Sequence, residues 1–274
     1  MGRSLGLILN ARGHRVVSVV DRNAAKARQV RAVVNAEYGG SDPGRAVSAA
    51  TMIFLAVADD GLYEAAEAVS RQWSGGRDIV AAHTSGLLGS EVLRPLALKG
   101  ALIASFHPAL SFTEQFKGGL DGVPVALEGE QKAVERLIRL VTDLGGKPWE
   151  IHPRDKSLYH LACTLASNGL IALLNASYRI LDQVRSGKSQ VRLLPLVASV
   201  IANIEGGGIE KAMTGPVSRG DYKTVEAHMD CLKKSDVAVK EIYCVLSREL
   251  LSMARRQGLD SGKAAVLDSL LMVD

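Results

Sequence analysis

The sequence predicts an α/β protein: a mainly parallel sheet, lacking its first strand, followed by an all-helical domain. Three observations carry this. Over residues 1–152, short apolar runs alternate with amphipathic helical stretches, and the runs are almost continuously apolar, as in strands covered on both faces. Beyond Pro153 the strand signal stops and helical periodicity continues to the end. The chain opens on MGRSLGLILNA, which reads as a helix where the alternation calls for a strand first. The boundaries expected are 1–152 for the first domain and 153–274 for the second.

The elements run in order along the chain. Residues 3–12 read as a helix, Arg15–Val20 as a β-branched strand and 23–36 as a helix rich in alanine and basic residues. TMIFLAV is a buried strand and GLYEAAEAVSRQW an amphipathic helix. DIVAAH is a strand, LGSEVLRPLALKG a helix and ALIASFHP a strand. VPVALEG, the helix QKAVERLIRLVTDLGG and the strand KPWEI complete the half, with Gly145-Gly146 as the helix stop. In the second half, helices are expected over 154–186, 189–204, 220–234, 236–257 and 261–271, with the cluster Gly206-Gly207-Gly208 after the second of them.

Composition narrows the function classes. The 274 residues are 47% hydrophobic and 23% charged, the balance of a soluble globular protein. A net charge of +4, spread along the chain, fits an anionic small ligand better than a nucleic-acid groove, and 4% aromatics leave no stacking platform for single strands. Cys163, Cys231 and Cys244 form neither a disulfide framework nor a metal motif, so each reads as a buried small apolar residue and no metal is expected. The longest apolar stretch, HLACTLASNGLIALLNASYRIL, carries His160, Asn168 and Asn175 and reads as a buried helix rather than a membrane span. With no signal-like N-terminus, the expectation is a cytoplasmic protein that touches neither membrane nor nucleic acid.

A dinucleotide fold places a glycine turn after its first strand, so that backbone amides and a helix N-terminus approach a pyrophosphate. Gly2, Arg3 and Ser4 stand where the end of such a turn belongs, although a Gly after Met is also ordinary. Asp21 lies nineteen residues after Gly2, at a strand end, where an acidic residue binds a ribose 2′-hydroxyl. Arg22 beside it suits a 2′-phosphate, and Lys26 and Arg28 tilt the reading from NAD toward NADP. The alternative for Asp21-Arg22-Asn23 is a turn with a helix cap. Ala56, Val57 and Asp59 end the strand in FLAVADD, at the carboxyl edge where ligands sit in such sheets.

Two further strand ends are more informative. HTSG puts His83, Ser85 and Gly86 directly after DIVAA, and SFHP puts His107 at the next strand end. One such histidine is commonly structural, but two at successive strand ends point to a cleft, where histidine serves acid–base work. In DKSLYHLACTLASN, Lys156, His160, Ser167 and Asn168 fall along one helix as a polar stripe, which lines either a cavity or a core network. TGPVSRGD offers Thr214 and Arg219, the latter suited to a substrate carboxylate.

Taken in order, HTSG, SFHP, YHLACTLASN and TGPVSRGD resemble bacterial Rossmann-like oxidoreductases with a C-terminal helical domain of unknown function. These are similar in layout to pyrroline-5-carboxylate reductase, the F420-dependent NADP reductase and the 6-phosphogluconate dehydrogenase superfamily. The resemblance implies an N-terminal NAD(P)-binding domain and a helical domain that dimerises and closes over the substrate. Family members begin with a strand and GxGxxG, whereas this chain starts at the last two fingerprint positions, Met1 and Gly2. A piece of about ten residues is therefore expected to be missing, leaving neighbouring strands with open edges. Wider relatives pair a lysine with an asparagine one turn later. Lys156 and Asn168 are twelve apart, so no catalytic lysine is carried over.

The expected function is reduction of a C=O or C=N bond of a small carboxylated metabolite, for example a 2-oxo acid such as ketopantoate, with NADP or NAD as cofactor. His107 or His160 gives the proton, Asn168 is the third catalytic candidate, and Ser85, Gly86, Ser167, Asn168, Thr214 and Arg219 position the substrate. The alternative is a non-catalytic NAD(P)-sensing protein. A third reading is a remnant that has lost its cofactor.

Overall fold

The computed structural model describes residues 1–47, 50–75, 78–113, 116, 118–184, 192–233 and 235–272. The ends of the expected helices at 185–186, 189–191 and 234 lie outside the described residues. Two compact units are present, Met1–Ser167 and Asn168–Asp274.

Unit 1 begins with helix α1 (Gly2–Ala11), strand β1 (Ser18–Val20), α2 (Ala24–Val34), β2 (Tyr38–Gly40), α3 (Gly44–Val47) and β3 (Met52–Leu55). It continues with α4 (Leu62–Gln72), β4 (Val80–His83), α5 (Arg94–Ala97), β5 (Leu102–Pro108), β6 (Pro124–Gly129), α6 (Gln131–Asp143) and β7 (Lys147–Glu150). It closes with α7 (Lys156–Thr164) and a π-helical turn, Leu165–Gly169. The short strand β2, sequence YGG, carries no apolar pattern that would predict it. The helix expected over LGSEVLRPLALKG is a 3-10 turn, Ser90–Leu93, leading into the four residues of α5, because Pro95 cannot donate an amide to a longer helix.

The strands form two ladders rather than one. β1 and β2 pair in parallel as a two-stranded sheet, and the other five form a sheet in the order β3-β4-β5-β6-β7. Within it β3, β4 and β5 are parallel neighbours, β6 runs antiparallel to β5, and β7 is parallel to β6. Among the described residues, β1 pairs with no strand besides β2, and β3 with none besides β4. Each thus has the open edge expected where a first strand would lie. Met52, Ile53 and Phe54 of β3 are half-buried, unlike the fully buried β4 next to it.

β4 shows why a continuous apolar run makes a central strand. Its side chains alternate between faces, so Val80 and Ala82 join one core and Ala81 the other. The first core gathers Leu5 and Ile8 of α1, Phe106 of β5, Leu127 of β6 and the apolar stripe Val134, Leu137 and Val141 of α6. The second gathers Leu62 and Ala66 of α4 with Leu93 and Leu96.

Unit 2 comprises α8 (Leu170–Leu181), α9 (Leu194–Ala212), α10 (Pro216–Arg219), α11 (Tyr222–Leu232), α12 (Val237–Arg256) and α13 (Ser261–Leu271). Asp221, Asp236 and Asp260 each cap the helix after them, accepting from Thr224, Ala238 and Lys263 amides. Val217, Val225, Cys244, Leu251 and Leu267 form the core of α10–α13. α9 runs through the glycine cluster expected to end it and kinks at Gly208 (φ 80°).

Two expectations about burial fail. Cys231 is exposed and Cys163 half-buried, leaving Cys244 as the buried thiol of the three. The apolar helix Pro153–Leu181 is not buried within the chain: only 6% of its most apolar window is covered. By length and composition alone it is long enough to cross a membrane. Its apolar side chains, including Leu161, Leu165 and Ile171, point away from the chain's own cores.

One close approach in the sheet yields a test. Gly129 ends β6 at φ 142°, and a Cβ there would stand 2.5 Å from the Ile103 carbonyl oxygen and 2.6 Å from Ala104 Cα. Gly129→Ala is expected to cost about 2 kcal/mol or more, from backbone strain plus displacement of β5. Urea unfolding of the two proteins measures it, and a loss under about 0.5 kcal/mol contradicts the packing described.

Candidate active site

The parallel strands β3, β4 and β5 finish side by side, with Leu55, His83 and Ser105 in register. Each strand end carries polar residues: Asp59 after β3, Ser85 after β4, and His107 near the end of β5. Ser105 and His107, two residues apart on one strand, share a face. The first turns of α7 bring Lys156, Tyr159 and His160 to these same strand ends.

Lys156 holds the assembly together. Its ammonium donates to Ser105 Oγ at 2.5 Å and to the Ser85 carbonyl oxygen at 3.2 Å, and the residue is 1% exposed. Burial holds its pKa below the usual lysine value, partly offset by Glu128, Glu91 and Asp59. Ser85 is the hub on the loop side. Its hydroxyl donates to Asp59 Oδ2 at 2.9 Å and accepts from the amides of Leu87 and Leu88. One serine thus joins the ends of β3 and β4, and through its carbonyl it joins both to α7.

His83 is fully buried, and both its ring nitrogens hold the 83–89 loop. The Ser85 amide donates to Nδ1 at 3.2 Å, so the proton sits on Nε2, which donates to the Gly89 carbonyl oxygen at 3.1 Å. Burial and the nearby Lys156 charge push its pKa down to about 4. His107 is half-buried, with Nδ1 2.7 Å from the Tyr159 hydroxyl. Burial, Lys156 and His160 push it down to about 4 as well, so it is neutral at physiological pH. Tyr159 packs edge-on between His107 and Trp149, and burial raises its pKa.

The His107 and His160 rings meet edge to face at 6.3 Å, with Gly86 against both. A Cβ on Gly86 would stand 2.7 Å from His160 Cδ2 and 2.9 Å from His107 Nε2. The glycine that closes the HTSG motif is therefore required by the histidines of the other two elements.

The expected cofactor residues occupy two places. Gly2 opens α1 beside the end of β3, where its Cβ would lie 3.2 Å from that of Ala56. No side chain caps the first turn of α1, and no acidic residue lies in it, so its amides suit an anionic group. Arg3 is exposed and Ser4 buried at this end, and Val57 is 47% exposed. Asp21 comes directly after β1, accepts from the Asn23 amide at 2.8 Å and is half-buried; Arg22 is exposed. Asn23, not Asp21, caps α2 through the amides of Ala25 and Lys26. The residues present fit a dinucleotide: helix amides for its phosphates and an acidic side chain at the next strand end for a ribose.

The polar stripe expected along the helix is broken. The π turn at Leu165–Gly169 inserts a residue into the helical repeat, and Ser167 and Asn168 are exposed while Lys156 is buried. Ser167 donates to the Cys163 carbonyl oxygen at 2.7 Å. Asn168 begins unit 2, which also holds Thr214 and Arg219, the latter half-buried or more open than the core around it. Sequence patterns alone do not select Lys156 or Tyr159 for the site. The signal for Lys156 is its place at a helix N-terminus, where the helix dipole disfavours a cation that has no other task.

Residues 1–108 match the model of a Rossmann-like domain, and residues 123–250 match that of a domain of unknown function, DUF2520. No curated protein matches the chain. Among solved structures it resembles protein TM1727 of Thermotoga maritima, with 27% identity and a TM-score of 0.72 over 93% of this chain and 97% of that one. An imine reductase of Streptomyces aurantiacus shares the fold at 18% identity and a TM-score of 0.63, over 99% and 96% of the two chains. So does a reductive aminase from Aspergillus terreus in complex with NADPH and ethyl-5-oxohexanoate, at 16% identity and 0.57, over 99% and 88%.

The neutral histidines make stability depend on pH. Below pH 6.5 an unfolded His83 binds a proton that the folded one refuses until about pH 4, so stability falls as pH drops through that window. For His83 the full loss is on the order of 3 kcal/mol. Thermal midpoints measured from pH 7 to 4 are expected to fall, and His83→Gln, although less stable at pH 7, is expected to show a shallower slope. Equal slopes contradict the assignment.

Proposed function

We propose that this chain, a Rossmann-like domain joined to a DUF2520 domain, is an NADP-dependent oxidoreductase that reduces a C=O or C=N bond of a small carboxylated metabolite. One observation carries the reading. Asp59, Ser85, Gly86 and His107 converge at three adjacent parallel strand ends, under the helix turn that carries Tyr159 and His160. The carboxyl edge of a parallel sheet is where such folds bind dinucleotides. The fold it shares with an imine reductase and an NADPH-bound reductive aminase supports the same reading.

In this proposal the α1 amides and Arg3 hold the phosphates, Asp21 and Arg22 the adenosine ribose and its 2′-phosphate, and Ala56 and Val57 lie against the sugar. The bound nicotinamide supplies hydride. The protein orients the reacting carbon and keeps water out. His107, held neutral, serves as a hydrogen-bonding group, and His160, half-buried beside it, is the residue that gives a proton where a substrate requires one.

We propose also that the chain works as a homodimer through its helical half. α9 has no buried residue, and Leu196, Val200, Ile201 and Ile204 on it are all exposed. His160, Asn168 and Asn175 interrupt the exposed apolar helix, which suits a protein neighbour better than lipid.

Three measurements test these proposals. NADPH is expected to bind more tightly than NADH by about tenfold, with Arg22→Ala removing the difference, as read by nucleotide fluorescence. NADPH absorbance is expected to fall with at least one member of a panel of small 2-oxo acids and imines. Binding without turnover across a broad panel supports the sensing alternative instead. Light scattering is expected to give twice the 29.1 kDa chain mass, and Ile201→Glu to give the single mass.

A further inference from the structure

We infer that Tyr159 fixes His107 with its proton on Nδ1 and a bare Nε2, so that the site takes a substrate whose reacting heteroatom carries hydrogen: a protonated C=N group in preference to a carbonyl. The substrate part rests on the reductase reading above, whereas the histidine part does not.

The hydrogen-bond count carries it. The Tyr159 hydroxyl lies 2.7 Å from His107 Nδ1 and 3.3 Å from the His107 backbone carbonyl oxygen. It has one proton to give. If that proton goes to Nδ1, the carbonyl contact carries no hydrogen. If it goes to the carbonyl, Nδ1 must be the donor to the tyrosine oxygen, and both contacts are hydrogen bonds. Only the second arrangement uses both. It leaves the Nε2 lone pair on the side of Gly86 and His160, where both imidazoles are half-buried rather than sealed. His83, one strand over, is held the opposite way, with its proton on Nε2.

The charges facing the His107 ring are those of Lys156, His160 and Asp59, with the Tyr159 hydroxyl on its Nδ1. The buried ammonium of Lys156 disfavours a second cation, so the imidazole stays neutral and its Nε2 accepts without carrying a proton. A carbonyl that receives hydride becomes an alkoxide and needs a proton, which this nitrogen does not hold. A protonated C=N group donates its own N–H to Nε2. Hydride from a dihydronicotinamide adds to the carbon, the π electrons return to nitrogen, and a neutral amine remains with its N–H in place. No proton moves in that step, and the cationic substrate loses its charge.

The test uses the full chain with 15N-labelled histidine at pH 7, read by long-range proton–nitrogen correlation. The expected state of His107 is Nδ1–H in the native protein. In Tyr159→Phe, which keeps the ring contact with Trp149, it is expected to revert to Nε2–H, the form a free imidazole favours. Nε2–H in the native protein, or Nδ1–H in both, overturns the assignment. If the variant does not fold, the native spectrum still decides the tautomer. In the second arm, NADPH oxidation is measured with 1-pyrroline and with cyclopentanone. A kcat/KM for the imine about tenfold or more higher is expected, with Tyr159→Phe lowering kcat and leaving KM nearly unchanged. Equal rates or a preference for the ketone overturn the substrate class. Oxidation with neither removes the reductase reading, while the histidine assignment stands or falls on the spectrum.

Discussion

The buried ammonium of Lys156 is the constraint on which the strand-end site depends. A charge removed from water costs several kcal/mol unless its donors are satisfied. Here they meet Ser105 Oγ on β5 and the Ser85 carbonyl after β4, so the charge is tolerated only while strand, loop and helix stay in register. The carboxylates that favour it are themselves placed: Glu128 of β6 accepts from the Ser90 amide and hydroxyl at 2.8 and 2.7 Å, and Asp59 accepts from Ser85. One side chain therefore couples the ends of β4 and β5 to the start of α7, and Ser85 extends that coupling to β3.

The same charge shapes the chemistry. It lies close enough to His83 and His107 to hold both imidazoles neutral, in addition to their burial. Two histidines at successive strand ends then divide their tasks. His83 has both nitrogens committed to the loop, while His107 commits one to Tyr159. Gly86 is small because both His107 and His160 lie against it. The loop motif HTSG is thus one histidine that builds the loop, one serine that ties three elements, and one glycine that makes room for rings from elsewhere.

Much of this is legible in the sequence because its signals are local. The apolar runs of β4 and β5, the stripe of α6 and the aspartate caps of α11, α12 and α13 each arise from residues within a few positions of one another. The polar strand ends are legible for the same reason. The concealed part is long-range. Lys156 and Ser105 are 51 residues apart, and Tyr159 and His107 are 52 apart, so neither pair leaves a spacing signature. The π turn that throws Ser167 and Asn168 off the expected stripe has no marker in LASNG. β2, with sequence YGG, forms because it pairs with β1, not because of its propensity. The antiparallel turn at β6 is likewise a consequence of pairing, since PVALEG reads the same in either direction of travel.

The central claim is that the edge where α1 begins and β3, β4 and β5 end receives a nicotinamide dinucleotide. The most direct measurement is the set of backbone amide shifts of the full chain on addition of NADPH. The account predicts the largest changes at Gly2–Ser4, Asp21–Arg22, Val57–Asp59 and Ser85–Leu87. Changes absent there, or confined to α10–α13, would contradict it.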